Sequence, residues 1–298
     1  MKVFFASILL VTLIFISQFA FANPAATIDE LVAPYNVDGC RDCHETTHDE
    51  WKDSWHGKSI TDARVLRTWR TFILSGIDKS AQAKRRDLKD VCLPCHAPQT
   101  KDASDELVTE ISNLIVTAVD DADKNKREAA TKELSKLSIN CLVCHNLKAT
   151  PDNNPKQVAL YGPKGNVDPK EPTHEEYETI KSDYMPKAEF CAQCHHGCPP
   201  GMPSTECPTL WTSYQEHYLA NGGKETCQSC HMKKPNPDEP KIHRFPGIYE
   251  VDTAKEGIDL TVTARPTTYV YHLENKFVPA VVVQVDVKNL KGHGIPHG

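Results

Sequence analysis

Ten of the twelve cysteines in this 298-residue chain belong to five copies of one pattern, Cys-x-x-Cys-His. The copies are Cys40, Cys43 and His44; Cys92, Cys95 and His96; Cys141, Cys144 and His145; Cys191, Cys194 and His195; and Cys227, Cys230 and His231. At this composition chance supplies about 0.02 such matches. The spacing sets two thiols about one helical turn apart, with a histidine next to the second. That suits two thioether bonds to the vinyl groups of a porphyrin and a histidine nitrogen beneath its iron, the attachment of c-type haem. Two other readings fit less well. A zinc site needs paired Cys-x-x-Cys units and has no use for an invariably placed histidine. A dithiol oxidoreductase usually carries one such unit near a βαβ pattern.

Five haems would also change how the chain must fold. Apolar residues make up 39% of it and the mean hydropathy is -0.48, which allows only a thin side-chain core. Porphyrin faces can stand in for that missing core, so long irregular stretches are compatible with compactness. The expected fold is mainly α and irregular, a multihaem cytochrome c with haems forming its core and a small C-terminal β-module.

Residues 1–22 read as a secretory signal peptide. Lys2 precedes a long apolar run that ends in Ala20, Phe21 and Ala22, a small-x-small cleavage pattern. The alternative is an uncleaved anchor helix, because the apolar run approaches a bilayer span in length. Cleavage leaves 33 basic residues against 40 acidic ones. An exported acidic chain is a poor nucleic-acid ligand. The expectation is a periplasmic or extracellular protein with no stable membrane insertion after signal removal.

Each haem iron has a second axial position, and nine histidines remain after the five proximal ones. His56 lies between Trp55 and Gly57, His243 precedes Arg244, Phe245, Pro246 and Gly247, and His293 sits between Gly292 and Gly294. Aromatic and small residues there suit a porphyrin face, since glycine lets backbone approach a flat ring. His174 follows a proline-rich run. His196, directly after His195, points away from the haem that His195 serves and is expected to ligate a neighbouring one. His48, His217, His272 and His297 are weaker candidates. The distal set read here is therefore His56, His174, His196, His243 and His293.

Two other patterns lose on inspection. His44, Glu45, Thr46, Thr47 and His48 match the zinc-protease pattern, but His44 is committed to the first haem. Asp121, Asp123 and Asn125 resemble a calcium loop, yet Lys126 and Lys132 stand where glycine and glutamate are required. They read as a turn or a solvated helix face.

The chain resembles the multihaem cytochromes c related to hydroxylamine oxidoreductase, including the tetrahaem cytochromes of ammonia oxidisers. The residues that carry this are the first unit with Trp51, Ser54, Trp55, His56 and Gly57; Phe190 with the fourth unit; the fifth unit with Met232; His243 to Gly247; and Asn289 with Gly292 to Pro296. The resemblance implies that His56, His174, His243 and His293 are distal ligands and that the haems stack closely in pairs. It also implies further strand beyond residue 298, so the segment 258–298 is expected to be truncated. Five units instead of four or eight, and no Cys-x-x-Cys-Lys, set the chain apart from the pattern.

Helix is expected over 60–76, and over 104–137 as one helix or a helical hairpin. There Ser104 is the N-cap and Leu107, Ile111, Leu114, Ile115 and Ala118 form a stripe. Residues 146–172 read as loop. Beyond 257, segments 258–264, 267–272 and 280–287 are β-rich, with Glu274 to Lys276 turning between the last two and the module delivering His293 to a haem. The domains read as signal peptide 1–22, pentahaem cytochrome 23–257 and β-rich segment 258–298. Cys198 and Cys207 are expected to form a disulfide, with free thiols or a bridge to another chain as alternatives.

The sequence thus describes a carrier of electrons, more than a catalyst, with five covalently bound haem c groups and redox proteins as partners. Two alternatives stay open. One is an oxidoreductase acting on a small nitrogen or sulfur compound at one five-coordinate haem. The other is a homo-oligomer, in the form of an extracellular cytochrome filament.

Overall fold

The computed structural model describes residues 24–74, 88–165, 174, 177–196, 210–247 and 249–295. The leader at 1–22, Cys198, Cys207, His297 and the end of the helix expected at 60–76 lie outside these residues.

Helices start where a side-chain oxygen can accept from amides that the first turn leaves free. Thr27 caps α1 (Ile28–Val32), and Asp62 accepts from Arg64 N at the start of α4 (Ala63–Thr68). Between them lie α2 (Cys40–Cys43), which is the first haem unit, and α3 (Glu45–Asp53). The second unit ends in α5 (Leu93–His96). The long helical segment is a hairpin. Ser104 Oγ accepts from Leu107 N at 3.1 Å to open α6 (Asp105–Asp120), and Asp123 opens α7 (Lys124–Ser135). Asp121 and Asp123 are spent on this turn, as their failed calcium pattern suggested: Asp121 Oδ1 accepts from Asp123 N at 2.8 Å, and Asp123 Oδ1 from Asn125 N at 2.8 Å.

The expected stripe of α6 faces inward. Leu107, Ile111 and Ile115 are fully buried, and Leu114 and Ala118 pack against them from its margin. They meet Leu134 of α7, Leu66 and Trp69 at the end of α4, Leu93 of α5, and Ile28 and Leu31 of α1. Burying each such side chain contributes about 1.5–3 kcal/mol. This cluster lies entirely within residues 28–137. Beyond it the second buried cluster is small, centred on Ala149, Ala159 and Tyr161. The side-chain core thins where the last three haem units begin.

The stretch expected to be loop contains a strand. β1 (Ala159–Gly162) pairs in parallel with β2 (Glu178–Lys181). The strand exists because a distant segment completes its ladder, which no local pattern announces. Further on come α8 (Ala188–His195), α9 (Leu210–His217), α10 (Cys227–His231) and α11 (Val251–Gly257).

The C-terminal β-module is an antiparallel ribbon of β3 (Ile258–Tyr271) and β4 (Lys276–Asn289), with Ile258 opposite Asn289 and Tyr271 opposite Lys276. The two segments expected at 258–264 and 267–272 are one strand. Pro266 does not interrupt it because an edge strand can spare an amide. The turn comprises residues 272–275, where the sequence suggested 274–276, and closes at Asn275 with φ 46°. Strand alternation puts Leu260, Val262, Ala264 and Pro266 on one face with Val287, Val285, Val283 and Val281 opposite them. Thr261, Thr263, Arg265, Asp286 and Gln284 take the other face.

Candidate haem sites

The five units lie on short helical turns of different make. The fifth, α10, is held by a capping box. Thr226 Oγ1 accepts from Ser229 N at 3.3 Å, and Ser229 Oγ accepts from Thr226 N at 2.9 Å. The third sits in a π-helical turn, Val143–Leu147, and the second follows another, Leu88–Cys92. Such turns recur at functional sites because they re-aim side chains.

A histidine ligates metal through a ring nitrogen that carries no proton. Backbone carbonyls settle this for several rings here. His96 Nδ1 lies 2.7 Å from Ser59 O, His145 Nδ1 2.8 Å from Tyr161 O, and His231 Nδ1 2.8 Å from Pro246 O. His243 Nδ1 lies 2.8 Å from Lys241 O and His293 Nδ1 2.9 Å from Gly294 O. A carbonyl only accepts, so each Nδ1 is the protonated donor and each Nε2 keeps its lone pair. Burial also holds the rings of His96, His145, His195 and His243 neutral by pushing their pKa down. His56 is pushed furthest, to about 4, first by burial and then by His195 and His96. Its Nδ1 is buried without a hydrogen-bond partner.

Four of the five motif histidines face a second histidine ring. Ring centres are 6.0 Å apart for His44 and His174, 6.4 Å for His145 and His243, 6.1 Å for His195 and His56, and 6.1 Å for His231 and His293. Two metal–imidazole bonds of about 2 Å, end to end with half a ring beyond each, put ring centres about 6 Å apart. The residues therefore fit an iron between each pair. Three pairs are near-parallel, at 16°, 26° and 27°, and His56 and His195 cross at 82°. Among the described residues, no group of three or more His, Cys, Asp and Glu converges as a protein-only metal site requires. Two opposed rings suit a metal whose other donors come from a porphyrin.

The fifth motif histidine stands apart. His96 meets Trp69 edge-on at 5.0 Å, and Ser59 grips it twice, through its carbonyl on Nδ1 and through Oγ–H on His96 O at 2.7 Å. His196 is exposed at the end of α8 and is not brought to any proximal ring among the described residues. The expectation that it serves a neighbouring haem finds no support in its position. The helical path turns it outward because consecutive residues point about 100° apart.

The opposing rings are held by neighbours that lack a sequence signature. Glu50 Oε2 accepts from His243 N at 2.8 Å, and Phe245 packs edge-on against His56 at 4.4 Å. A Cβ on Gly292 would fall 2.4 Å from the Tyr218 ring, and one on Gly57 2.5 Å from Trp51 O, so both positions demand glycine. Gly247, by contrast, lies in open space. Trp51 donates Nε1–H to Ile139 O at 2.7 Å, and Trp55 packs at a tilt against Tyr249 with the Arg64 guanidinium over both rings.

The thiols relate the units to one another. Cys40 lies near enough to Cys141 for the two thiols to influence each other, as Cys95 does to Cys194 and Cys191 to Cys227. Contact with Cys141 lowers the Cys40 thiol to about 7, and contact with Cys194 does the same to Cys95. The partners Cys141 and Cys194 are raised in turn. Cys144 is pushed up to about 11 by burial and acts electrostatically on Cys191 and Cys194. Unit one thus touches unit three, unit two touches unit four, unit four touches unit five, and unit three lies beside unit four.

A family model described as outer membrane cytochrome MtrC/MtrF-like, domains II/IV, matches residues 75–244, more than half of the chain and four of the five units. The chain belongs to this MtrC/MtrF-like family. It is a multihaem electron-transfer cytochrome with covalently bound haem c. The match supports a multihaem cytochrome c and does not single out the hydroxylamine oxidoreductase-related group. A crystal structure of a penta-heme cytochrome c552 from Thermochromatium tepidum aligns over 93% of this chain and 68% of that one, with 19% identity and a TM-score of 0.46. A likeness that remote carries no argument. No curated protein matches the chain. Among the described residues no helix is long and apolar enough to cross a membrane.

Proposed function

We propose that this MtrC/MtrF-like chain holds five haem c groups and conducts electrons among them outside the cytoplasm, in the periplasm or at the cell exterior. Cys40, Cys43, Cys92, Cys95, Cys141, Cys144, Cys191, Cys194, Cys227 and Cys230 are the thioether residues. His44, His96, His145, His195 and His231 are proximal ligands, and His174, His243, His56 and His293 are the distal partners of His44, His145, His195 and His231. Each haem supplies a one-electron iron couple when bound. The signal-like leader, and a family described as outer membrane cytochromes, support the location.

The observation that carries this reading is the set of four opposed histidine pairs with ring centres 6.0–6.4 Å apart. The chain's own residues have three tasks. Cysteines tether, carbonyls on Nδ1 aim Nε2, and second histidines close the far side against small ligands. Histidine in place of methionine opposite the proximal ring keeps potentials low. The thiol contacts suggest a route in the order one, three, four, five, with unit two joined at unit four. Redox partner proteins would meet exposed ends of that route. The similarity around His56, His243 and His293 keeps a kinship with the hydroxylamine oxidoreductase-related cytochromes as part of this reading.

Mass spectrometry of the exported protein is the direct test, followed by a potentiometric titration. Five haem additions and five low-potential one-electron steps are expected. Fewer than five additions, with unmodified Cys-x-x-Cys-His peptides after digestion, would contradict the proposal.

A further inference from the structure

We infer that His56, paired with His195, makes the fourth unit the site of highest reduction potential among the four histidine pairs, so that electrons moving between those pairs collect there. The inference rests on the five-haem reading, with His56 and His195 as one axial pair. It turns on what each ring does with its second nitrogen, Nδ1.

An imidazole that shares its Nδ1–H with a carbonyl is a stronger donor through Nε2. Donation to iron stabilises the ferric state and lowers the potential. In the third and fifth units both rings of each pair are held this way. His145 and His243 lie 2.8 Å from Tyr161 O and Lys241 O, and His231 and His293 lie 2.8 and 2.9 Å from Pro246 O and Gly294 O. In the first pair His44 and His174 are exposed, where water can accept from the ring. His56 differs from all of these. Its Nδ1 is buried with no hydrogen-bond partner, and Phe245, packed on the ring at 4.4 Å, brings no acceptor. With that N–H unshared, His56 is the weakest donor of the set, and an iron it ligates is the easiest to reduce.

The fold puts this pair at a junction. α8, which carries Cys191, Cys194 and His195, packs against α5 of the second unit and α10 of the fifth. Gln193 Nε2 donates to Lys148 O at 2.9 Å, just past His145 of the third unit. Gln228 Nε2 of the fifth unit donates to Lys187 O at 2.7 Å, at the start of α8. Units two, three and five therefore all border the fourth, and a high potential there draws electrons from each side.

The same pair carries its own spectroscopic label. The π orbital of an imidazole acts on the iron d orbital that lies across its ring plane. Rings within 16–27° of parallel act on the same d orbital and split it from its twin. His56 and His195, crossed at 82°, act on both and leave them nearly equal. Crossed rings thus give low-spin ferric iron an electron paramagnetic resonance signal whose largest g value lies well above that of the near-parallel pairs.

The test is a potentiometric titration of the intact holoprotein followed by electron paramagnetic resonance, on a preparation whose haems have been counted by mass spectrometry. One signal with an outlying largest g is expected, and it should be absent from His56→Met. In the parent it should vanish on reduction at a more positive potential than the signals of the near-parallel pairs. Phe245→Gln sets an amide acceptor beside the His56 ring, so the same signal should persist and vanish at a lower potential than in the parent. Five haems with no outlying signal, or with one that vanishes after the near-parallel signals, overturn the inference and leave the five-haem reading intact. A Phe245→Gln signal that vanishes at the parent's potential overturns it equally. A count below five removes the reading on which the inference rests, and the inference with it.

Discussion

His145 and His96 end the same five-residue pattern, yet the chain surrounds them differently. Both have Nδ1 held by a backbone carbonyl, and both are buried and neutral. His145 looks across at His243, 6.4 Å away, whereas His96 has Trp69 against its edge. The local pattern places one histidine at each unit. What stands opposite it depends on what the rest of the chain sends there, a matter of long-range packing. Two identical motifs therefore end in different surroundings.

The largest effect should come from removing the ring opposite His145. With His243→Gly the reduced holoprotein should take up one more carbon monoxide per chain than the parent. Imidazole added to the buffer should return uptake to the parent's value. Uptake equal to the parent's without imidazole would show that His243 does not close that position.

Gly292→Ala attacks a pair by crowding instead of deletion. Its Cβ would fall 2.4 Å from the Tyr218 ring, so the segment carrying His293 must shift. A stability loss of about 2 kcal/mol is expected in denaturant titration, with a new high-spin ferric signal from the fifth unit. An unchanged melting curve and unchanged spectra would show that the close approach does not hold His293.

Ser59→Ala acts on the second unit alone. It strips a partner from Ile139 N and from His96 O, at a cost of about 1.5 kcal/mol. The electron paramagnetic resonance signal of the second unit should change while those of the other four do not. A disturbance spread over all sites would deny Ser59 a local role.

Ser104→Ala serves as the remote control. Losing the cap on α6 should lower stability by about 1 kcal/mol and leave every haem spectrum in place. Altered spectra would mean that the side-chain core and the haem sites are coupled more tightly than their separation suggests.

The parts of the fold legible in the sequence are those governed by near neighbours. Ser104, the stripe from Leu107 to Ile115, and the alternating residues of the ribbon each write their structure into a few consecutive positions. The strand at Ala159–Gly162 was not legible because its hydrogen bonds come from Glu178–Lys181. The segments at 258–264 and 267–272 join into one strand through Pro266, since proline's missing amide is harmless on an outer edge. The adjacent histidines divide in the same way. His195 follows from its motif, while His196 proved exposed because a helix sends neighbouring side chains in different directions.

By itself the sequence determined the number of Cys-x-x-Cys-His units and where their cysteines and histidines stand. Covalent attachment makes its demand on five contiguous residues, so that pattern is legible without any distant contact. Only the tertiary structure decided which histidine stands opposite which, that His96 meets a tryptophan, and that unit one neighbours unit three instead of unit two. Those relations join residues as far apart as Glu50 and His243, whose contact spans almost two hundred positions. Such pairings come from how segments pack, and packing is a property of the whole chain.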